Sequence, residues 1–98
     1  MSKSDIEAQF MFQIRAYGLP TPEREVMFTR KWMFDFCYPN RLLAIEVHDR
    51  GFDADCEKYT EAAILGWKIL HFTSTHVSTG YAVGKLEEAL KPVDHHAQ

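Results

Sequence analysis

Two carboxylates eleven residues apart each interrupt a run that otherwise reads as a buried strand: Asp35 in Trp32-Met33-Phe34-Asp35-Phe36-Cys37 and Glu46 in Leu42-Leu43-Ala44-Ile45-Glu46-Val47-His48. An ionised carboxylate buried without a partner is strongly destabilising, so two in one small core need compensation. One form of compensation is a divalent cation held between them; the other is a basic neighbour for each, such as Arg30, Lys31 or Arg41. A hard cation such as Mg²⁺ takes oxygen ligands from one or two carboxylates and keeps several waters. Bound there, it can activate a water and stabilise charge on a phosphodiester. His48 follows Glu46 by two and so shares its strand face. Its imidazole could position or deprotonate the attacking water, add a soft ligand that favours Mn²⁺, or simply end the strand exposed. On the next helix Asp55 and Lys58 lie one turn apart. Lys58 could meet the scissile phosphate or the nucleophile, or form an ordinary surface ion pair. Gln9, with Glu7, reaches this site only if the first helix packs across the strands.

The elements that must position these groups follow from periodicity. Ile6, Phe10 and Ile14 predict a helix from Asp5 to about Tyr17, with Ser4 as N-cap and Glu7 completing a capping box. Gly18-Leu19-Pro20-Thr21-Pro22 stops it. Strands are predicted at Glu25–Phe28, Lys31–Cys37 and Leu42–Val47, the last two joined by a Tyr38-Pro39-Asn40-Arg41 turn. This hairpin brings Asp35 and Glu46 close, because opposed cross-strand residues have Cβ atoms about 5 Å apart. A helix runs from Phe52 or Asp53 to Leu65, ended by Gly66. Trp67–Phe72 is apolar enough to be a central strand. Thr73-Ser74-Thr75 begins a connection, and Tyr81–Leu90 is an amphipathic helix. The fold class is α/β, ordered α-β-β-β-α-β-α, with one mixed four-stranded sheet flanked by helices. Residues 1–91 form a single domain and 92–98 a polar tail, in which His95-His96 is a weak metal candidate.

The 98 residues carry 14 acidic and 11 basic side chains, a formal charge of -3. That balance argues against affinity for nucleic acid through a broad basic surface, although bound metal would neutralise site carboxylates. No apolar run approaches the roughly 20 residues needed to span a bilayer, and the polar Met1–Asp5 start is not a signal peptide. No membrane association and a cytoplasmic location are expected. Cys37 and Cys56 make no disulfide framework, and Cys37 reads as a small core residue.

Four segments taken together, Phe34-Asp35-Phe36-Cys37-Tyr38-Pro39, Leu43-Ala44-Ile45-Glu46-Val47, Asp55-Cys56-Glu57-Lys58-Tyr59-Thr60-Glu61-Ala62 and Gly66-Trp67-Lys68-Ile69-Leu70-His71-Phe72-Thr73, resemble small phage and bacterial nucleases of the PD-(D/E)XK superfamily, the Holliday-junction-resolvase-like or virus-type replication-repair group. The similarity covers about Ile6 to Leu90, and order and spacing carry it more than any single motif. It implies a restriction-endonuclease-like core and Mg²⁺- or Mn²⁺-dependent hydrolysis of DNA in a bacterial or phage-infected cell. Asp35, Glu46 and the Val47 carbonyl would be metal ligands. The third catalytic place, two after the glutamate, holds His48, and a lysine on the following helix points to Lys58, with Asp55 beside it. The first-helix glutamate falls on Gln9, which is neutral. A second departure is a shorter loop, Asp49-Arg50-Gly51-Phe52, between the glutamate strand and the next helix.

The partner implied is DNA, with branched or junction substrates suggested and a symmetric homodimer offering two sites for two strands. Arg24, Arg30, Lys31, Arg41 and Arg50 are candidate phosphate contacts, and Trp32, Tyr38 and Tyr59 could flank nucleotides or serve as core and rim aromatics. The alternative is a weakened or inactive DNA-binding or interaction module that retains the fold, or a structural subunit of a larger assembly.

Overall fold

A computed structural model describes residues 2–49 and 55–92. Phe52 and Asp53, the candidate Arg50, most of the short loop and His95-His96 lie outside the described residues. Asp55 is extended (φ -91°, ψ 95°), so the helix predicted to run from Phe52 or Asp53 begins at Cys56. The chain begins with α1 (Lys3–Ala16), two residues earlier than its periodicity predicts. Ser2 rather than Ser4 is the N-cap. Its hydroxyl accepts from the Asp5 N–H at 3.2 Å, and the Asp5 carboxylate accepts from the Ser2 N–H at 3.1 Å. This reciprocal pair satisfies donors that open the helix, and it draws Lys3 into the first turn.

Three antiparallel strands follow: β1 (Glu23–Met27), β2 (Met33–Tyr38) and, after a 3₁₀ turn at Pro39–Arg41, β3 (Leu43–His48). The β1–β2 turn is organised by Thr29, whose hydroxyl accepts from the N–H groups of Lys31 and Trp32. The helix α2 (Cys56–Ile64) then leads through Gly66, at φ 91°, into β4 (Lys68–Thr73). β4 runs parallel to β3 and ends the sheet, whose order is β1-β2-β3-β4. β4 is therefore an edge strand, not the central one its apolar run predicts. Helices pack on both of its faces, so Phe72 is buried and Ile69 and Leu70 are half-buried without a second neighbouring strand. Two helices close the chain, α3 (Ser74–Ser78) and α4 (Tyr81–Leu90). α3 stands where sequence reading predicts only a connection. It is capped by the Thr73 hydroxyl, which accepts from the His76 N–H, while His76 Nδ1 accepts from the Thr73 N–H.

The sheet separates two apolar clusters. Ile6, Phe10 and Ile14 of α1, with Val77 of α3 and Val83 and Leu86 of α4, pack on Phe36, Ile45, Val47 and Phe72. The smaller cluster lies on the α2 side: Phe34, Cys37, Ala44 and Ala62, packed with Phe28, Trp67 and Ile69. Phe34 and Phe36, two apart on one strand, enter different clusters. Strict alternation would put them on one face, so the backbone of β2 turns over at Asp35. β1 shows a matching irregularity: Glu25, which continuation of the register sets opposite Asp35, has φ 53°. A left-handed non-glycine residue costs roughly 1–2 kcal/mol, and this one borders the candidate site.

Burial separates the two thiols as well. Cys37 is fully enclosed, and burial pushes its thiol up to about 11, whereas Cys56 is exposed. Because the thiolate is the reactive species, a disulfide-exchange reagent at pH 8 is expected to modify Cys56 rapidly and Cys37 only after denaturant is added. Two fast thiols in the native protein would contradict this packing.

Candidate functional site

β2 and β3 pair through Tyr38–Leu43, Cys37–Ala44 and Phe36–Ile45. The same register would next oppose Asp35 and Glu46, but there the ladder stops. The Asp35 N–H donates instead to Glu46 Oε2 at 2.9 Å, and the Val47 N–H donates to Asp35 Oδ2 at 2.8 Å. Each carboxylate thus takes the place of a main-chain acceptor on the opposite strand, and the strands part around the pair. Sequence reasoning brought the two acids together through the hairpin; it could not foresee that they would replace the ladder.

The remaining oxygens face ammonium groups. Lys3 Nζ lies 3.0 Å from Asp35 Oδ1, and Lys58 Nζ contacts Glu46 Oε1. The basic partners are therefore Lys3 and Lys58, from α1 and α2 on opposite sides of the sheet, rather than Arg30, Lys31 or Arg41. Lys58 projects inward because Asp55, as N-cap, accepts its backbone N–H at 3.3 Å and fixes the first turn of α2. Its ammonium also lies 5.9 Å from the ring centroids of Phe34 and Tyr59. Asp55 contributes by capping that helix and is exposed.

A third acid joins from α1. Glu7 is one turn beyond Lys3, shares its helix face, and accepts from Arg24 Nη2 at 2.8 Å. Burial, and then the charge of Asp35, raise its carboxyl above the usual range. Gln9 lies about 200° around the helix from Glu7, so the two cannot present to the same surface. On α1 it is Glu7, not Gln9, that feels the charge of Asp35 and pairs with Arg24. Gln9 Oε1 is instead buried with no hydrogen-bond partner among the described residues.

Glu46 is the most enclosed charged group of the site, with 4% of its surface exposed. Burial raises its carboxyl, the Lys58 hydrogen bond opposes that shift, and the charge of Asp35 reinforces it. Lys3 feels the reverse balance: desolvation pulls its ammonium down, but the hydrogen bond and charge of Asp35 leave it above its ordinary value. Three carboxylates and three cations, Asp35 with Lys3, Glu7 with Arg24 and Glu46 with Lys58, thus balance one for one.

His48 sits at the end of β3 with His71 of β4 beside it; His48 Nε2 and His71 Nδ1 are 3.1 Å apart. The parallel register sets His71 beside Glu46, and Tyr59 meets the His71 ring edge to face at 4.7 Å. Burial lowers both histidines, His71 further through the charge of His48, which favours neutral rings that share one N–H. Sequence reading assigned no role to His71, Glu7 as a site acid remained secondary to Gln9, and Lys3 was missed entirely. The available signal for His71 was its even spacing from Ile69 on a strand whose pairing with β3 was unknown.

The other candidates scatter. Tyr38 is a core residue whose hydroxyl donates to the Pro20 carbonyl at 2.7 Å. Lys31 stacks over Trp32 and pairs with Glu57 at the β1–β2 turn, where Arg30, Trp32 and Thr60 help line a groove of about 540 Å³. Arg41 lies in the turn that enters β3.

By donor chemistry the pair suits a hard cation. Two carboxylates are a donor set that suits Mg²⁺ or Mn²⁺, which retain waters. The fit depends on displacing ammonium groups from Oδ1 and Oε1. Among the described residues no set of three or more His, Cys, Asp or Glu side chains is placed to hold a metal ion, so any site here rests on these two acids and the backbone. The structure defines an α/β protein with a mixed four-stranded sheet, helices on both faces and an acid pair at a break in strand pairing. Comparisons of the chain with protein-family models, curated proteins and solved structures found no match.

Removing one member of a buried ion pair leaves the other uncompensated, typically at 3–5 kcal/mol. Lys58→Met is expected to lower unfolding stability in urea by about 3 kcal/mol. The Lys58→Met, Glu46→Gln double variant should recover most of that loss. Equal losses in the single and double variants would show that Lys58 contributes through packing alone.

Proposed function

We propose that this chain is a Mg²⁺- or Mn²⁺-dependent DNA endonuclease with a restriction-endonuclease-like core, of the PD-(D/E)XK type that its sequence resembles. The observation that carries the reading is the Asp35–Glu46 arrangement. Each acid has one oxygen fixed by a main-chain N–H, and the other is compensated by an ammonium, enclosed at Lys58 and half-exposed at Lys3. Such a pair is held in place yet open to exchange of its counter-charge.

Asp35 and Glu46 would hold the cation, with the Val47 carbonyl as a further ligand. The cation, when bound, would lower the pKa of a coordinated water and offset charge on the phosphate. Lys58 stands at Glu46, where its ammonium can stabilise negative charge that develops nearby. His48, oriented by its contact with His71, is the candidate for handling a proton of the attacking water. Glu7 and Arg24 hold the Asp35 side of the break. Charge balance supports the same reading. The six groups sum to zero, so a divalent cation leaves an excess of two positive charges, which suits a phosphodiester gaining negative charge as it is attacked.

A second reading is favoured by the same contacts seen differently. Every oxygen of the two carboxylates already has a partner. The arrangement could thus be a charge-compensated lock in a DNA-binding or interaction module with no chemistry of its own.

Metal addition separates the two. Mg²⁺ or Mn²⁺ is expected to raise the melting temperature of the wild type, and not of Asp35→Ala or Glu46→Ala. With linear, single-stranded, flap and four-way-junction DNA, cleavage should fall by orders of magnitude in either variant. No stabilisation by cations together with no cleavage of any substrate would leave the binding module as the surviving reading.

A further inference from the structure

We propose that Lys3 is a substrate-binding residue, whose ammonium leaves Asp35 when a divalent cation binds and turns to a non-bridging oxygen of the DNA phosphate. This deepens the nuclease reading and rests on it. The two ammonium groups of the site differ in a way that assigns them different parts. Lys58 is enclosed, with 15% of its side chain exposed, and lies between Glu46 and the rings of Phe34 and Tyr59. Lys3 is 46% exposed and is the first residue of α1, so its long stem can sweep over the rim without disturbing the core.

The oxygen that Lys3 holds is also the one a cation needs. Asp35 Oδ2 is committed to the Val47 N–H, which leaves Oδ1 as the cation-facing oxygen, and Lys3 Nζ lies 3.0 Å from it. Cation and ammonium repel, and they compete for one oxygen. Lys3, displaced from Oδ1, would place its positive charge at the solvent edge of the site, where a phosphodiester must arrive. Arg24 cannot play this part while it is bound to Glu7 at 2.8 Å with its guanidinium 4.9 Å above the Phe36 ring. In the metal-free chain Lys3 is the placeholder that keeps Asp35 compensated; in the loaded one it is a phosphate contact.

The two roles predict opposite effects of one substitution. Lys3→Gln retains a hydrogen-bond donor for Asp35 but no charge. It should bind Mn²⁺ several-fold more tightly than the wild type by calorimetry, since no ammonium must be displaced. With Ca²⁺ replacing the catalytic ion to hold DNA in place, Lys3→Gln should bind a short duplex several-fold more weakly. The slope of log affinity against log salt should be shallower by about 0.9, the loss of one phosphate contact. Lys3→Arg should retain the slope, and Lys3→Met provides a second neutral variant if Lys3→Gln does not fold. Tighter Mn²⁺ binding with weaker, less salt-dependent DNA binding supports the assignment. Wild-type Mn²⁺ binding with unchanged DNA affinity and slope in both neutral variants overturns the role of Lys3 alone. Absence of Mn²⁺ binding in the wild type overturns the nuclease reading and this one with it.

Discussion

Where β2 and β3 part, two carboxylates accept the main-chain N–H groups that a continued ladder would have satisfied, and the local structure of the site is organised around that exchange. A buried N–H without an acceptor costs about as much as a lost hydrogen bond, so the strands can separate only because Asp35 and Glu46 supply acceptors. The acids in turn can be buried only because α1 and α2 deliver Lys3 and Lys58 from opposite sides. Helix caps at Ser2 and Asp55 fix where those lysines fall. The site is thus an equilibrium of charges assembled through a gap in the sheet.

The cost of the break is visible in the strands themselves. Phe34 and Phe36 face different clusters, and Glu25 on the neighbouring strand adopts a left-handed backbone. Around this irregular point the packing is dense. Phe28 stacks on Phe34 at 4.0 Å, Trp67 approaches Phe34 at 4.8 Å, and Phe10 meets Phe36 edge to face at 5.5 Å. Aromatic packing on both faces holds the backbone where hydrogen bonding between strands does not. Local strain near a cluster of charged groups is often associated with function, and here the strained residue borders the acid that anchors the proposed cation.

Much of the framework was legible in the sequence because local rules govern it. The apolar run through Leu43–Val47, the hairpin turn after Tyr38 and the amphipathic stretch Tyr81–Leu90 each encode an element within a few residues. The presence of two acids in apolar strands was an equally local signal, and their proximity followed from a short connection. The errors arise where a choice depends on partners distant in sequence. β4 looks central because burial by helices and burial by strands leave the same apolar pattern. Lys3 gave no signal because spacing along a helix does not state which face meets the sheet.

By itself, the sequence determined the order of most elements and the pairing of Asp35 with Glu46 across a hairpin, while the Asp55 cap and the inward course of Lys58 came only with the fold. The element order and that pairing rest on periodicity and turn chemistry, which act over short separations. Only the tertiary structure decided that Lys3 and Glu7 complete the acid pair, that His71 stands beside His48 and that the carboxylates replace the ladder at its break. Those contacts join residues 11 to 32 apart through strand pairing, helix packing and parallel register, and no local pattern specifies which faces will meet.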